Sequence, residues 1–404
     1  MSTVADRPLP PAPRAPDAAR DRLRQRTAPP RRPTAPDPRL PTDRDLLDAF
    51  LRRGIRDIVS VPCSITDTWH DLASREARAG RLDLVMTTHE ANLAGIAGGI
   101  WFGTGRPALV HMQNSGLMNA ADGFISFADR EVFGVPMAAL VTFRGATADD
   151  RSEPHQAIGR RTDALVDAVF GATATIAGER SGRGLLGAVA RSIDAALGGG
   201  IGVVKVAEAG FRKAHRATLA EGPPPTRAMP RAQPPALLAG GARLTRDEAI
   251  RAIAARHPRA ALLFSNGFTS RAARATVDDA RCFYNIGYMG GTLAIGWGLA
   301  RSRPDLEVVV VDGDQNALMS AMKDQFATER PANLHWYILD NGIGASVGTS
   351  ESVPLAASYG DLARIVPTHP DEPGSFAHPR VAAVRAGEPL AALATRFRRH
   401  LANH

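Results

Sequence analysis

The sequence predicts an α/β protein of two tandem domains, each a mostly parallel sheet flanked by helices, with no middle domain between them. Three observations carry this. Short, continuous apolar runs rich in β-branched residues, such as 308–311 and 334–339, read as strands buried on both faces, and segments of helical character separate them. Both runs end in acidic or amide residues followed by glycine, Asp312-Gly313-Asp314-Gln315 and Asp340-Asn341-Gly342, which puts ligand-bearing groups at the edge where open α/β sheets bind cofactors. A proline- and glycine-rich linker, 218–243, breaks the periodicity, and the order of capped helix, strand and glycine turn begins again after it.

Taken in order, Thr42 with Asp45 three positions on opens the first helix, which stops at Gly54. A strand over 55–61 ends in Pro62-Cys63-Ser64, and a helix over 69–79 leads to a strand over 83–88 whose carboxyl end carries His89-Glu90. Small residues dominate 91–101, which lets a helix pack closely on a sheet; the glycines at 103 and 105 end it. Next come a buried strand over 107–112, the polar turn Gln113-Asn114-Ser115-Gly116, a helix containing Asn119 and a strand over 135–143. Residues 144–156 read as a polar loop, and helices over 163–170 and 184–197 with a strand over 202–207 complete a first domain of 42–217. After the linker, Thr245 and Glu248 form a capping box, a strand occupies 260–264, and the second domain runs over 244–404.

At 404 residues the chain is long enough for two ordinary domains, and its 44% hydrophobic content has no run of membrane-spanning length. The N-terminus lacks an apolar signal core, so a cytoplasmic protein that binds no membrane is expected. Two cysteines, Cys63 and Cys282, are too few for a disulfide framework and read as small buried hydrophobes. The formal charge of +8 does not make this a nucleic-acid-binding protein: about half or more of the surplus lies in 1–41, a Pro/Arg/Ala tail too poor in large apolar residues to fold.

Asp314 and Asn341, about 27 residues apart, come side by side on neighbouring strand ends if a crossover helix separates them. A carboxylate and an amide oxygen beside a glycine turn suit Mg²⁺ held jointly with a diphosphate, the alternative being two ordinary solvated strand ends. Gly313-Asp314-Gln315 and Asp340-Asn341 resemble the Mg²⁺/diphosphate motif of thiamine diphosphate (ThDP) enzymes, with Gln315 in place of the second glycine. The run from Thr87-Thr88-His89-Glu90 to Asn114-Ser115-Gly116 resembles their pyrimidine-binding domain. Glu90 would then hydrogen-bond the aminopyrimidine ring nitrogen, a proton relay that calls for a dry carboxylate of elevated pKa; a solvated strand-end or helix-starting glutamate is the alternative. Tyr288-Met289-Gly290-Gly291 is similar to the family's turn that wedges a bulky residue between the cofactor rings. Met289 is the candidate wedge, and Tyr288 stands where a small serine is usual.

Within ThDP enzymes the resemblance is closest to the phosphonopyruvate and sulfopyruvate decarboxylases. It rests on Val61-Pro62-Cys63-Ser64, Met112-Gln113-Asn114-Ser115-Gly116, Phe143-Arg144-Gly145 with Glu153-Pro154-His155-Gln156, and Gly267-Phe268-Thr269-Ser270-Arg271. It implies two ThDP-binding-fold domains and a non-oxidative, ThDP- and Mg²⁺-dependent decarboxylation of a 3-substituted 2-oxo acid to an aldehyde and CO₂. It also implies cofactor contacts from Asn114, Ser115, Gly116, Gly267, Tyr288, Met289, Gly313, Gln315 and Ile343, with Asp314, Asn341 and Ile343 around the ion. His155 is read as a proton donor or carboxylate ligand, or else as a surface histidine. Ser64, Arg144 and Arg271 are read as substrate contacts, the two arginines forming a phosphonate or sulfonate clamp. The departure at 384–388 from the family's C-terminal pattern points to a different anionic group. The resemblance places the cofactor between the first domain of one subunit and the second domain of another, hence a homodimer or larger assembly. A ThDP-dependent carboligase, or a catalytically silent scaffold marked by Gln315, are the alternatives.

Overall fold

The computed structural model describes residues 37–147, 150, 152–171, 174–179, 184–214, 243–344, 350–351, 353–370 and 388–404. Residues 1–36 of the expected tail, the linker up to 242 and the departure at 384–387 lie outside the described residues. Strands β1 (Asp57–Ser60), β2 (Asp83–Met86), β3 (Ala108–Gln113), β4 (Met137–Phe143), β5 (Ala174–Glu179) and β6 (Ile201–Ala207) make one sheet in the order β2-β1-β3-β4-β6-β5. All its pairings are parallel. Strands β7 (Ala261–Phe264), β8 (Cys282–Tyr284), β9 (Val308–Gly313), β10 (Leu334–Asp340) and, after the small hairpin β11 (Ile343–Gly344) and β12 (Ser350–Glu351), β13 (Arg364–Pro367) make the second in the order β13-β10-β9-β7-β8, also parallel. No further large sheet occurs among the described residues.

Both expected capping boxes are present. Thr42 accepts from the Asp45 backbone, Thr245 from that of Glu248, and each acidic side chain reaches back to its cap. Three elements differ from expectation. The helix Glu153–Gly159 begins inside the expected loop, with Pro154 supplying a preset φ to its first turn. Strand β5 has no counterpart in the sequence reading, and the segment between Asp314 and Asn341 is two short helices, Asp314–Leu318 and Lys323–Thr328, rather than one.

The two sheets are joined by a pair of helices, Leu93–Thr104 and Thr292–Ser302, each buried over nearly its whole length. Their backbones touch. A Cβ at Gly99 would lie 2.6 Å from the Leu299 nitrogen, and one at Gly298 would lie 2.9 Å from the Ile96 carbonyl carbon. The absence of a Cβ at these two positions is what permits a crossing this close. Around it one apolar core runs continuously through both domains, from Val110 and Phe127 to Phe283 and Val310. The C-terminal helix Leu390–Ala402 closes this core from below through Phe397, whose ring lies 5.2 Å from Phe102 and 5.7 Å from Phe283. Arg301 adds a two-pronged bond to Asp83 across the seam, at 2.5 and 3.1 Å.

A polar network lies buried between β1 and β3. Ser60 Oγ sits 2.7 Å from His70 Nε2 and 2.9 Å from His111 Nδ1, while His111 Nε2 meets Thr66 Oγ1 at 3.1 Å. Burial lowers the His70 pKa to about 4 and that of His111 well below its usual value, so both rings are neutral in the folded chain.

Two predictions follow from the packing and from the histidines. Gly99→Ala is expected to lower stability by about 1–3 kcal/mol, because the new methyl meets immovable backbone; Gly103→Ala, whose methyl meets only the Ser302 hydroxyl and side chains, should stay within about 0.5 kcal/mol. Urea midpoints that shift equally in the two variants would refute the crossing. Unfolding frees His70 to bind a proton near pH 6.5, whereas folded His70 binds one only near 4; the unfolded state is therefore protonated first as pH falls, and stability drops between those values. The loss is of the order of 3 kcal/mol, and a His70→Gln protein should show a correspondingly shallower fall in urea midpoint over the same window.

Candidate active site

A pocket of about 140 Å³ opens at the carboxyl edge of the second sheet, between the ends of β7 and β9. That is the switch point: β7 leads outward to β8 on one side, and β9 leads to β10 on the other. Gly267, Gly313, Asp314, Gln315, Asn341, Ile343 and Met289 line it together, so seven of the expected cofactor and metal residues share one wall. Register explains the meeting of Asp314 and Asn341: Gly313 pairs with Leu339, so each residue lies just past the end of neighbouring parallel strands. Asp314 and Asn341 are 6% and 8% exposed, so both are withheld from bulk water. Asp314 Oδ1 accepts from the Gln315 backbone at 2.8 Å and Asn341 Oδ1 from the Ile343 backbone at 3.1 Å, which fixes both head groups.

Arg246, Asn266, Phe268, Thr269, Asn316 and Met319 complete this wall and were not foreseen from the sequence. Asn316 is the most telling of them. Its Oδ1 accepts from the Gly290 backbone at 2.9 Å while its Nδ2 donates to Asp312 at 2.7 Å, tying the methionine turn to the end of β9. Burial pushes the Asp312 carboxyl up to about 7, against bonds from Trp336, Asn316 and Ser265 that favour its ionised form. The signal was on view, since Asp312 ends an otherwise wholly apolar strand.

Glu90 opens a single 3₁₀ turn, Glu90–Asn92, after β2, and its environment joins it to the second domain within the same chain. Glu90 Oε2 accepts from Asn119 Nδ2 at 3.1 Å, and Asp122, one helical turn on, accepts from the Met289 backbone at 2.8 Å. The Tyr288 hydroxyl donates to the Ala91 carbonyl. Asn92 Nδ2 reaches the Ala321 carbonyl at 3.3 Å, and Thr87 donates to Gln325 at 2.7 Å. A Cβ on Gly116 would stand 2.6 Å from the Glu90 carboxyl carbon, so only glycine lets that carboxylate lie against the turn after β3. Glu90 is half-buried, not buried as the relay chemistry asked. Within the chain these bonds tie the turn that carries Glu90 to the turn that carries Met289.

The structure places several of the other expected residues away from this wall. Tyr288 is 2% exposed and does not line the pocket; its ring stacks on Phe127 at 5.7 Å and packs against Gly95 and Gly123, making it a strut across the seam. Burial raises its hydroxyl pKa, so it is a hydrogen-bond donor and not a base. Asn114 is spent on structure: its amide donates to the Arg144 carbonyl at 3.0 Å and to Thr162 at 2.7 Å, and accepts from the Arg144 backbone at 3.2 Å. Ser115 is exposed and takes a bond from Gln113 at 2.6 Å, on the solvent side of the same turn. Arg144 and Arg271 do not form one clamp. Arg144 bonds Ser64 and pairs with Glu208 at 3.3 Å beside a second cavity of about 300 Å³ in the first domain, whereas Arg271 lies 5.7 Å over the Phe268 ring by the first pocket. His155 belongs with Arg144's cavity, its Nδ1 3.0 Å from Asp150, a residue of that cavity's wall.

No family model matches the chain. It is 28% identical over 324 residues to a phosphonopyruvate decarboxylase from Streptomyces hygroscopicus, covering 77% of this chain and 76% of that protein. A sulfopyruvate decarboxylase from Methanosarcina acetivorans is 28% identical over 315 residues, 77% of this chain and 78% of that one. The chain is a homologue of the phosphonopyruvate and sulfopyruvate decarboxylases. One sulfopyruvate decarboxylase subunit beta, from Methanothermobacter thermautotrophicus, matches the chain at 40% over 84 residues, 20% of this chain and 45% of that subunit. Among solved structures, one assigned as a thiamin diphosphate-dependent enzyme from Mycobacterium smegmatis covers 82% of this chain and 100% of its own at a TM-score of 0.50 and 13% identity, a likeness of fold. No helix among the described residues is long and apolar enough to cross a membrane.

Tyr288 gives the test of this geometry. Tyr288→Phe removes only the bond to Ala91 and should cost about 1 kcal/mol of stability while leaving ligand affinity at the pocket unchanged within about twofold. Loss of affinity with stability intact would return Tyr288 to the pocket wall.

Proposed function

We propose that the seam between the two domains binds ThDP with Mg²⁺ and that the protein decarboxylates a 3-substituted 2-oxo acid, of phosphonopyruvate or sulfopyruvate type, to the aldehyde and CO₂. This reading is supported by the contacts that run from Glu90 through the helix of Asn119 and Asp122 to the backbone of Met289, a residue that lines the Asp314/Asn341 pocket. The decarboxylases to which the chain is related support the reaction class.

The residues present fit the cofactor. One buried carboxylate and one buried amide oxygen, beside a glycine at the end of β9, are the hard oxygen donors that Mg²⁺ shares with a diphosphate. Gln315 is one of the residues that line the pocket. When bound, ThDP would supply the electron sink for CO₂ loss. Asp314 and Asn341, with Ile343, would hold the ion, and Met289, 53% exposed at the pocket rim, would support the rings. Glu90, oriented by Asn119, would hold and move the proton at the aminopyrimidine side, in the space that Gly116 leaves.

The second-domain rim, where two guanidinium groups stack on one ring, is the candidate for the substrate's anionic end. Beside the first-domain cavity Arg144 is offset by Glu208 and Asp150. At the other rim Arg246 and Arg271 both stack on Phe268, at 5.3 and 5.7 Å, and the nearby Asp314 charge would be taken by the ion. A homodimer or larger assembly is part of this reading, with Met118 and Met319, 69% and 52% exposed, available for contact.

Calorimetry with ThDP and Mg²⁺ comes first, and absence of binding would leave a silent scaffold. Product analysis with phosphonopyruvate, sulfopyruvate and pyruvate, with and without an acceptor aldehyde, then separates decarboxylation from carboligation. Glu90→Gln is expected to lower turnover by about 10²-fold or more with cofactor affinity largely kept. Full activity in that variant would refute the assignment.

A further inference from the structure

The second sheet carries another cluster at its opposite edge, which the seam chemistry leaves unused. Glu307 immediately precedes β9, His335 is the second residue of β10 and pairs with Val309, and His257 ends the helix Arg246–Arg256 just ahead of β7. The six residues of β9 put this cluster roughly 20 Å from Asp314. His257 Nδ1 lies 2.8 Å and His335 Nε2 3.3 Å from the same oxygen, Glu307 Oε1. All three ligand atoms fall within 4.8 Å of one another. The two rings stand 5.2 Å apart. Tyr337 Oη, 2.9 Å from His257 Nε2, fixes that ring from behind.

We propose that His257, Glu307 and His335 form a second metal site, built for a divalent transition ion of the Zn²⁺ class. Two imidazole nitrogens and one carboxylate oxygen are the donor set such ions take, while Mg²⁺ prefers an all-oxygen shell. Bonds of about 2.0–2.1 Å in a tetrahedron space the ligand atoms about 3.3 Å apart. The two spacings around Glu307 are already of that size. With His257 Nδ1 on the ion, its Nε2–H donates to Tyr337, the outer-shell contact that sets tautomer and ring orientation. The Glu307 side chain is 40% exposed, which gives the ion an entry path and leaves room for water as the fourth ligand. Such an ion would clamp the end of one helix to the starts of two central strands.

The test uses the full chain stripped of metal with EDTA, then held in saturating Mg²⁺ so that the Asp314/Asn341 pocket is occupied. Titration with Co²⁺ is expected to give one equivalent per chain with the intense visible bands of a tetrahedral ion, displaced by Zn²⁺, which also raises Tm. Glu307→Gln and His335→Gln, at partly exposed positions and checked for folding by circular dichroism, should each weaken Zn²⁺ binding more than about 10-fold. Tyr337→Phe, which keeps every ligand, should weaken it about 10-fold, and Asp314→Ala should leave it unchanged. Absence of stoichiometric binding overturns the proposal. So does binding that survives Glu307→Gln and His335→Gln, which would assign it to surface groups such as the His400/His404 pair, or binding lost in Asp314→Ala, which would assign it to the seam.

Discussion

Backbone contact between the helices Leu93–Thr104 and Thr292–Ser302 is the constraint from which the candidate site derives. Each domain alone is a parallel sheet with a pocket of its own, and only their packing brings the Glu90 turn to the Met289 turn. Glu90 lies three residues before the first helix and Met289 three before the second. Bringing the helices to glycine-limited contact therefore sets the carboxylate and the wedge candidate on the same seam. Apolar burial, the dominant favourable term in folding, and site geometry are here one interaction: the core that joins the sheets is the core that aligns the two turns. The Tyr288 bond to Ala91 and the Asp122 bond to Met289 refine an alignment that packing has already made.

Much of the fold was legible because it rests on local or periodic signals. Buried parallel strands announce themselves as continuous apolar runs, and both capping boxes sit where Thr42 and Thr245 placed them. The pocket wall was legible for a related reason: Gly313, Asp314, Asn341 and Ile343 follow strands whose parallel neighbourhood forces their ends together. Side-chain direction in irregular turns was not legible. Tyr288 lies between β8 and the following helix, where no period assigns a face, and its choice of core over pocket is made by the space at Gly95 and Gly123, far earlier in the chain. The bonds that Asn114 makes to Arg144 were not legible either. A polar residue at a strand end is equally suited to hold a ligand or a neighbouring strand end, and only the partner across the sheet decides. The cluster of His257, Glu307 and His335 escaped notice because its members come from a helix end and two strand starts with no spacing to connect them.

The hydrogen-bond polarity beneath the pocket shows why residue chemistry, and not only shape, matters there. Asp312 is fully buried and receives the Trp336 indole N–H and the Asn316 amide, each at 2.7 Å. Both partners are donors, so the arrangement is complete with an ionised or singly protonated carboxyl and leaves Asn316 no freedom to rotate its amide. With Nδ2 committed to Asp312, Oδ1 must face the other way, and there it accepts the Gly290 N–H. The orientation of the methionine turn is thus inherited from the charge-accepting character of one carboxylate at the end of β9. An amide at position 312 would have the same size but would offer donors as well as an acceptor, and the chain of bonds to Gly290 would lose its single direction. The acidic residue that ends an apolar strand therefore bears on the turn that carries Met289, across a distance that no side chain spans by itself.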